Sequence, residues 1–254
     1  MNLYYLGVEL KRQLTHPTTL FFCILLPVLF YLLFGSMAGT GQSIGRGNVN
    51  AATLLFLALY GASMTAATST MTVSFERPLG WNRQLRLTPL RPWAYLVTKI
   101  LNALLGSVLS MVVLFAVALA LGKAQMDGWI WLGGFGIGLL CGVTFGALGL
   151  VLGSLFRGET VTGVVIPLLL FCCFMSGVFG VPLTGNVFMA IQKIVPLGGA
   201  VNLILSMFGP NAVMYTGTGG MAASDWRIWV NIVGWLVAFT AVATWAYARS
   251  TKRQ

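Results

Sequence analysis

Long apolar stretches separated by short polar segments dominate the chain. Six of them reach the length of about 20 residues that an α-helix needs to cross a bilayer, with no Lys, Arg, Asp or Glu in their interiors. They cover residues 18–38, 51–75, 100–121, 129–156, 160–180 and 228–248. The pattern predicts an all-α, polytopic membrane protein: one transmembrane domain, residues 1–254, with six transmembrane helices.

Residues 181–226, between the fifth and sixth stretches, are apolar in part but do not fit a seventh span. Gln192, Lys193 and Pro196 lie near the middle of the apolar portion. A lysine at the centre of a membrane-spanning helix costs about 2.5–3.5 kcal/mol. We predict two short re-entrant or interfacial outer helices between Asn186 and Phe208 instead.

The composition excludes a water-soluble globular domain. Of 254 residues, 57% are hydrophobic and 8% are charged, whereas soluble domains carry about 25% charged residues. With 5 Asp and Glu residues and 1 His, the chain has little to offer for acid/base or metal-assisted catalysis. We therefore expect a protein that transports or binds something rather than an enzyme.

The basic residues predict the orientation in the membrane, because Lys and Arg accumulate in cytoplasmic loops. The net charge is +10, and we attribute it to these loops beside anionic lipids rather than to nucleic-acid binding. Six spans with a cytoplasmic N-terminus place four of the 15 basic residues outside, namely Arg46, Lys123, Lys193 and Arg227. The other eleven are cytoplasmic, so we predict that both termini lie in the cytoplasm.

The four cysteines lie inside apolar stretches and form no CxxC pair. Neither His nor carboxylate neighbours complete a metal site around Cys23, Cys141, Cys172 or Cys173. We expect these cysteines to be small buried hydrophobic residues and predict no metal site.

Residues 1–16 predict an amphipathic helix lying in the membrane interface. Its leucines recur at helical spacing, at Leu3, Leu6, Leu10 and Leu14. A passive anchor and a lever that touches a cytoplasmic partner fit this pattern equally well. The apolar stretch that follows exceeds the roughly 7–15 residues of a signal-peptide core, so we expect it to be retained.

The most informative polar segment, residues 76–91, joins the second and third stretches. Prolines near both ends bracket a helix of about three turns. Trp81 and Leu85 share one face of this helix, and Arg83 and Arg86 share the roughly opposite face. One face suits docking on protein or lipid and the other suits anions, although any cytoplasmic loop beside anionic lipid is basic.

The fourth stretch contains a glycine stripe suited to close helix packing. The stripe consists of Gly134, Gly138, Gly142, Gly146, Gly149 and Gly153. We favour packing within the subunit over a subunit interface. The GxxxxG frame over residues 153–158 is followed by Glu159 where a phosphate-binding loop needs Lys, so we expect no ATP binding there.

The six stretches contain no ionisable relay of the kind that ion-coupled carriers keep in the membrane. This argues for transport powered by another subunit. The second stretch is instead rich in hydroxyl groups that can bond across helices or to a substrate. These belong to Ser63, Thr65, Thr68, Ser69, Thr70, Thr72 and Ser74.

The order of these features resembles the ABC-2 type transporter permeases, the six-span subunits of bacterial ABC exporters. The matching segments are Glu9-Leu10-Lys11-Arg12 to His16-Pro17, Glu76-Arg77 to Thr88-Pro89, Met175-Ser176-Gly177-Val178-Phe179 to Pro182-Leu183, and Val195-Pro196-Leu197. The resemblance covers essentially the whole chain. It departs at residues 78–81, where relatives are usually more polar.

The resemblance implies a subunit of the bacterial cytoplasmic membrane that exports a hydrophobic or amphiphilic substrate by alternating access. Two copies of a separate ATPase subunit would hold the ATP and Mg, with no cofactor in this chain, and a second permease subunit, identical or similar, would complete the pathway. The implied coupling residues are Glu76, Arg77, Trp81, Arg83, Leu85, Arg86, Thr88 and Pro89. The implied pathway residues are Ser63, Thr68, Thr72, Phe171, Phe174 and Met175.

Other classes of function remain open at this point. A membrane sensor or scaffold would explain the spans and the basic loop, but not the outer helices. A channel would conduct ions without ATP. An intramembrane enzyme fits least, because one His and five carboxylates do not supply a nucleophile, a base and a metal set.

Overall fold

The computed structural model describes residues 7, 15, 17–37, 41–76, 92–156, 158–179, 186–209, 212 and 225–252. Helices make up most of this part of the chain. The first apolar stretch forms α1 (Pro17–Leu20), a π-helical segment (Phe21–Leu25) and α2 (Leu26–Phe34). The remaining helices are α3 (Val49–Met71), α4 (Val73–Glu76), α5 (Pro92–Leu121), α6 (Gly128–Leu155), α7 (Thr160–Met175), α8 (Asn186–Ile194), α9 (Gly198–Phe208) and α10 (Trp226–Lys252).

A short antiparallel hairpin marks one end of the bundle. Its strands are β1 (Ser43–Ile44) and β2 (Gly47–Asn48). The Arg46 N–H donates to the Phe208 carbonyl at 2.9 Å, and the Asn48 N–H donates to the Gln125 carbonyl at 3.0 Å. The segments after α2, α5 and α9 therefore meet at this end, which we call the hairpin end.

The opposite end gathers the other turns of the chain. The Ser74 hydroxyl donates to the Phe156 carbonyl at 2.8 Å, which joins the end of α3 to the end of α6. Lys99 near the start of α5 donates to Thr72 at 3.1 Å, and Ala243 of α10 packs in a cluster with Val73. We call this the Lys99 end; the long helical passages run alternately between the two ends.

Helix α3 lies at the centre of the bundle and α10 at its periphery. In the most apolar 18 residues of each helix, the buried share is 94% for α3 and 22% for α10. Contacts to α3 come from α5, α6, α7 and the first helical passage. A substitution on α3 therefore perturbs more of the protein than one on α10.

Four helices among the described residues are long and apolar enough to cross a membrane. They are Val49–Phe75, Val97–Leu121, Gly128–Leu155 and Trp226–Ala246. The apolar helices Phe21–Phe34 and Thr160–Met175 are shorter. The prediction of an all-α polytopic membrane protein is confirmed at this level, while six crossings remain a prediction.

The segment between the fifth and sixth stretches forms two short helices, α8 and α9. They join α7 to α10 and end at Phe208, at the hairpin end. Their re-entrant character remains a prediction. Helix α7 ends at Met175 rather than residue 180, because the chain turns through Gly177 with a φ of 80°, a conformation that favours glycine.

Candidate functional site

The hydroxyl groups of α3 mostly bond to the backbone of their own helix. Thr65 donates to the Gly61 carbonyl at 2.7 Å, Thr68 to Met64 at 2.8 Å and Thr70 to Ala66 at 3.0 Å. Such bonds satisfy a threonine inside an apolar bundle without a partner on another helix. These side chains therefore keep α3 buried at little polar cost.

Two other hydroxyl groups of α3 differ from this pattern. Tyr60 and Ser63 are fully buried, and their hydroxyl oxygens have no hydrogen-bond partner among the described residues. A buried hydroxyl without a partner costs about 1–3 kcal/mol. This part of α3 is thus where a further hydrogen-bonding group would be most favourable.

The implied pathway residues lie in three places rather than on one surface. Ser63 and Thr68 are buried inside the bundle, whereas Phe171 and Phe174 on α7 are 56% and 42% exposed. Met175 is half-buried, also on α7, and Thr72 is half-buried at the Lys99 end. The structure therefore does not bring the hydroxyl groups of α3 and the exposed rings of α7 together within this chain.

Lys99 lies inside a helix, although the third apolar stretch starts after it, at residue 100. Helix α5 begins at Pro92, and Lys99 is completely buried. The lysine lies beside the C-terminal end of α3, whose carbonyl groups carry partial negative charge. This environment favours a cation there, which explains why the helix includes it.

Lys99 belongs to a row of polar residues on α5 that bond to α3 and to the first helical passage. The Asn102 amide donates to the Ser69 hydroxyl at 3.2 Å, one helical turn from the Lys99–Thr72 contact. Ser107 donates to the Ala62 carbonyl at 2.8 Å, and Ser110 donates to the Cys23 carbonyl. The sequence signal was present, because positions 99, 102, 107 and 110 fall on one helical face.

The implied coupling segment lies almost entirely outside the described residues. Glu76 ends helix α4, and the remaining residues, Arg77, Trp81, Arg83, Leu85, Arg86, Thr88 and Pro89, are not described. Its flanks are described: Val73 is buried in a cluster with Leu150 and Val151, and Pro92 begins α5. Both flanks thus reach the Lys99 end.

The glycines of α6 pack against α3 and α5 of the same chain. A Cβ atom at Gly149 would overlap the Ala67 carbonyl and lie 2.9 Å from the Ala67 Cα. At the other positions the nearest atoms belong to Leu55 for Gly134, Met111 for Gly138, Ser107 for Gly142, Ala103 and Ala66 for Gly146, and Met71 for Gly153. The stripe therefore allows α6 to approach the central helix.

Asn231 on α10 forms hydrogen bonds to the end of α8 and to the start of α9. Its amide nitrogen donates to the carbonyls of Lys193, Ile194 and Val195 at 2.9–3.2 Å. Its oxygen accepts from the Gly199 N–H at 3.2 Å. The Trp235 indole adds a bond to the Ile194 carbonyl at 2.7 Å, so the orphan groups at both helix ends are satisfied from α10.

Comparison with known proteins agrees with this architecture. The sequence matches the family described as ABC-2 family transporter protein over residues 41–249. It is also 28% identical over 165 residues to a protein of Bacillus subtilis (strain 168) named "Putative transport permease YvfS". That match covers 61% of this chain and 64% of the relative, which is less than two thirds of its length. Because the family match spans most of the 254 residues, the chain belongs to the ABC-2 family of membrane transport proteins.

Proposed function

We propose that this chain is the permease subunit of an ATP-driven exporter that moves a hydrophobic or amphiphilic substrate, such as a drug, an antibiotic or a lipid-like molecule. A separate ATPase subunit in two copies would bind ATP and Mg, and a second permease subunit would complete the assembly. Membership of the ABC-2 family supports a transport subunit. The low content of charge in the spans supports an apolar cargo.

The observation that carries the coupling part of the proposal is the anchoring of the flanks of residues 77–91. On one side, Ser74 bonds to Phe156 and Val73 packs with Leu150. On the other side, Lys99 of α5 bonds to Thr72. A force applied to the segment between them would therefore reach α3, the most buried of the four long apolar helices in the described part of the chain.

In this mechanism the ATPase subunits close on ATP binding and displace the segment containing Arg83 and Arg86. The displacement passes through α4 and the Lys99–Thr72 contact to α3. Together with a rearrangement of α7, it shifts the permease pair from inward-open toward outward-open. The exposed rings of Phe171 and Phe174 would then face the second permease subunit or the cargo between the subunits.

We further propose that the Lys99 end faces the cytoplasm of a bacterial cell and the hairpin end faces outward. Of the four residues assigned outside, Arg46 lies in the hairpin turn and Lys123 in the loop beside it, and Lys193 and Arg227 lie on α8 and α10 near the start of α9, the helix that ends at the hairpin. Their scarcity relative to the eleven assigned inside fits the distribution of Lys and Arg in membrane proteins.

The proposal is tested by purifying the chain from its native membrane in mild detergent and assaying the eluate for ATP hydrolysis. We expect a stoichiometric ATPase subunit and vanadate-sensitive hydrolysis. Replacing both arginines, R83E and R86E, should uncouple hydrolysis from transport while the variant extracts normally. The matched control, R83K with R86K, retains the charge and should retain coupling.

Two results would contradict the proposal. Purification of a monodisperse chain without an ATPase subunit would favour a function as a sensor, scaffold or channel. Coupling that is unchanged in the charge-reversed variant would exclude residues 77–91 as the contact with the ATPase subunit.

A further inference from the structure

A groove of about 470 Å³ runs along one face of α10 beside the C-terminal end of α8. Lys193 and Trp226, Arg227, Val230, Asn231, Gly234, Trp235 and Ala238 line it. From Arg227 to Ala238 the α10 residues follow helical spacing, so they form a continuous strip about 16 Å long at 1.5 Å per residue. The groove is thus elongated along the helix axis.

Two cations from different helices line the half of this groove nearer the start of α10, which we call its mouth. Lys193 lies in the last turn of α8, and Arg227 lies in the first turn of α10 with its side chain 64% exposed. Asp225 approaches Arg227 at 4.0 Å, and it is the one carboxylate in an ion pair with either cation among the described residues. The mouth of the groove therefore has a net positive charge.

The backbone carbonyls beside the mouth are already occupied. The carbonyls of Lys193, Ile194 and Val195 accept hydrogen bonds from Asn231, and Ile194 also accepts from Trp235. Oxygen atoms that would repel an anion are thereby covered. Apart from the Asp225 carboxylate beside Arg227, the described groups at the mouth offer a ligand cationic donors.

The remainder of the groove is apolar and faces away from the bundle. Val230 is 55% exposed, and the neighbouring Val233 and Val237 on the outer side of α10 are 50% and 60% exposed. Trp226 and Trp229 are exposed near the start of the helix, and tryptophan is enriched at the level of lipid headgroups. The sequence of features, cations, indoles and then aliphatic surface, matches the order of groups along a phospholipid.

We propose that this groove binds an anionic phospholipid, with its phosphate contacting Lys193 and Arg227 and one acyl chain lying along Val230, Gly234 and Ala238. The inference rests on membership of a membrane transport family and on the groove itself. It does not depend on the ATPase coupling proposed above, and its test reads lipid binding rather than transport.

The test uses the full chain in detergent and native mass spectrometry with phosphatidylglycerol or phosphatidylcholine as the probe. We expect the wild type to retain phosphatidylglycerol preferentially. The variant K193Q with R227Q should bind it about 25-fold more weakly, because each basic residue near the headgroup contributes about a factor of five. The variant K193R with R227K keeps both charges and should bind like the wild type.

A second variant fills the groove without changing charge. A Cβ atom at Gly234 would meet nothing within 4 Å, so G234L should fold and place its side chain in the acyl-chain path. We expect G234L to weaken phosphatidylglycerol binding several-fold. The matched charge control is R46Q with K123Q, which removes two cations outside the groove and should leave the binding unchanged.

Three outcomes would overturn the proposal. Equal loss in the R46Q and K123Q control would make the effect one of overall charge. Competition by inorganic phosphate at the same concentration as the lipid would make the groove a simple anion site. Conversion of a dimer to a monomer in G234L, with lipid binding unchanged, would make the groove an interface between copies of the chain.

Discussion

At the scale of single residues, two buried polar side chains hold together parts of the chain that are far apart in sequence. Asn231 fixes the junction of α8 and α9 through four hydrogen bonds to backbone groups. Lys99 joins α5 to the end of α3. Both side chains contact the ends of neighbouring helices, where backbone groups lack partners within the helix.

Replacing Asn231 with Ala should destabilise the protein by about 2–3 kcal/mol, because the Lys193 carbonyl and the Gly199 N–H lose the hydrogen bonds from this side chain. The measurement is thermal unfolding in detergent followed by tryptophan fluorescence. The V237A variant, on an exposed side chain of the same helix, should change stability by less than about 0.5 kcal/mol. Equal stability of N231A and V237A would show that the hydrogen bonds of Asn231 contribute little.

Replacing Lys99 with Glu should destabilise the protein by about 3 kcal/mol or more. The carboxylate would be fully buried beside the negative end of α3 and could not donate to Thr72. The K99Q variant keeps a hydrogen-bond donor and should be milder. The yield of monodisperse protein after detergent extraction, measured by size-exclusion chromatography, compares the two, and a normal yield of K99E would exclude this role for the lysine.

At the scale of helices, the close packing of α6 on α3 depends on the absence of side chains at particular positions. Gly149 has no room for a Cβ atom because the Ala67 backbone lies against it. Gly136 on the same helix has nothing within 4 Å of that position. Two glycines thirteen residues apart therefore have different roles, which their spacing in the sequence does not distinguish.

The G149A variant should be destabilised by about 1–3 kcal/mol, the usual cost of overpacking. The G136A variant should be unchanged or more stable by up to about 1 kcal/mol, because Ala favours a helix more than Gly does. Thermal unfolding of the two variants beside the wild type provides the comparison. Similar melting temperatures for both variants would mean that α3 and α6 can move apart at Gly149 without loss of stability.

The sequence predicted the helical passages and the two short helices well, since apolar length and interrupting polar residues are local signals. The third apolar stretch starts at residue 100, after Lys99, whereas helix α5 begins at Pro92 and includes this lysine. The compensating group, the C-terminal end of α3 with Thr72, is 27 positions away in the chain. Hydropathy alone carries no information about such a partner.

Which of the implied pathway residues contact a substrate stays a prediction. The hydroxyl groups of the second stretch are visible in the sequence, but whether Thr68 points to its own backbone or to a neighbour depends on side-chain rotamers. The bond from Thr68 to Met64 and the complete burial of Ser63 follow from how α3 is surrounded. The sequence does not reveal the role of Asn231, because its hydrogen bonds form only when α8, α9 and α10 pack together.

At the scale of the whole molecule, the chain alternates between two ends, so each loop is predicted to lie on a defined side of the membrane. Gly41 and Lys123 lie on exposed loops at the hairpin end, and Glu159 lies exposed at the Lys99 end. The four native cysteines are buried, so the background reaction with a thiol reagent should be low. Single cysteines at these three positions can therefore report the side of the membrane.

In intact bacterial cells, a membrane-impermeant maleimide should label G41C and K123C but not E159C, which should react only after permeabilisation. The expectation follows from the charge bias, because eleven of 15 basic residues are assigned to the side of the Lys99 end. The unmodified chain provides the background control. Labelling of E159C in intact cells would show that the orientation is the reverse of the one proposed. If only one of G41C and K123C is labelled, α3 and α5 do not both cross the membrane.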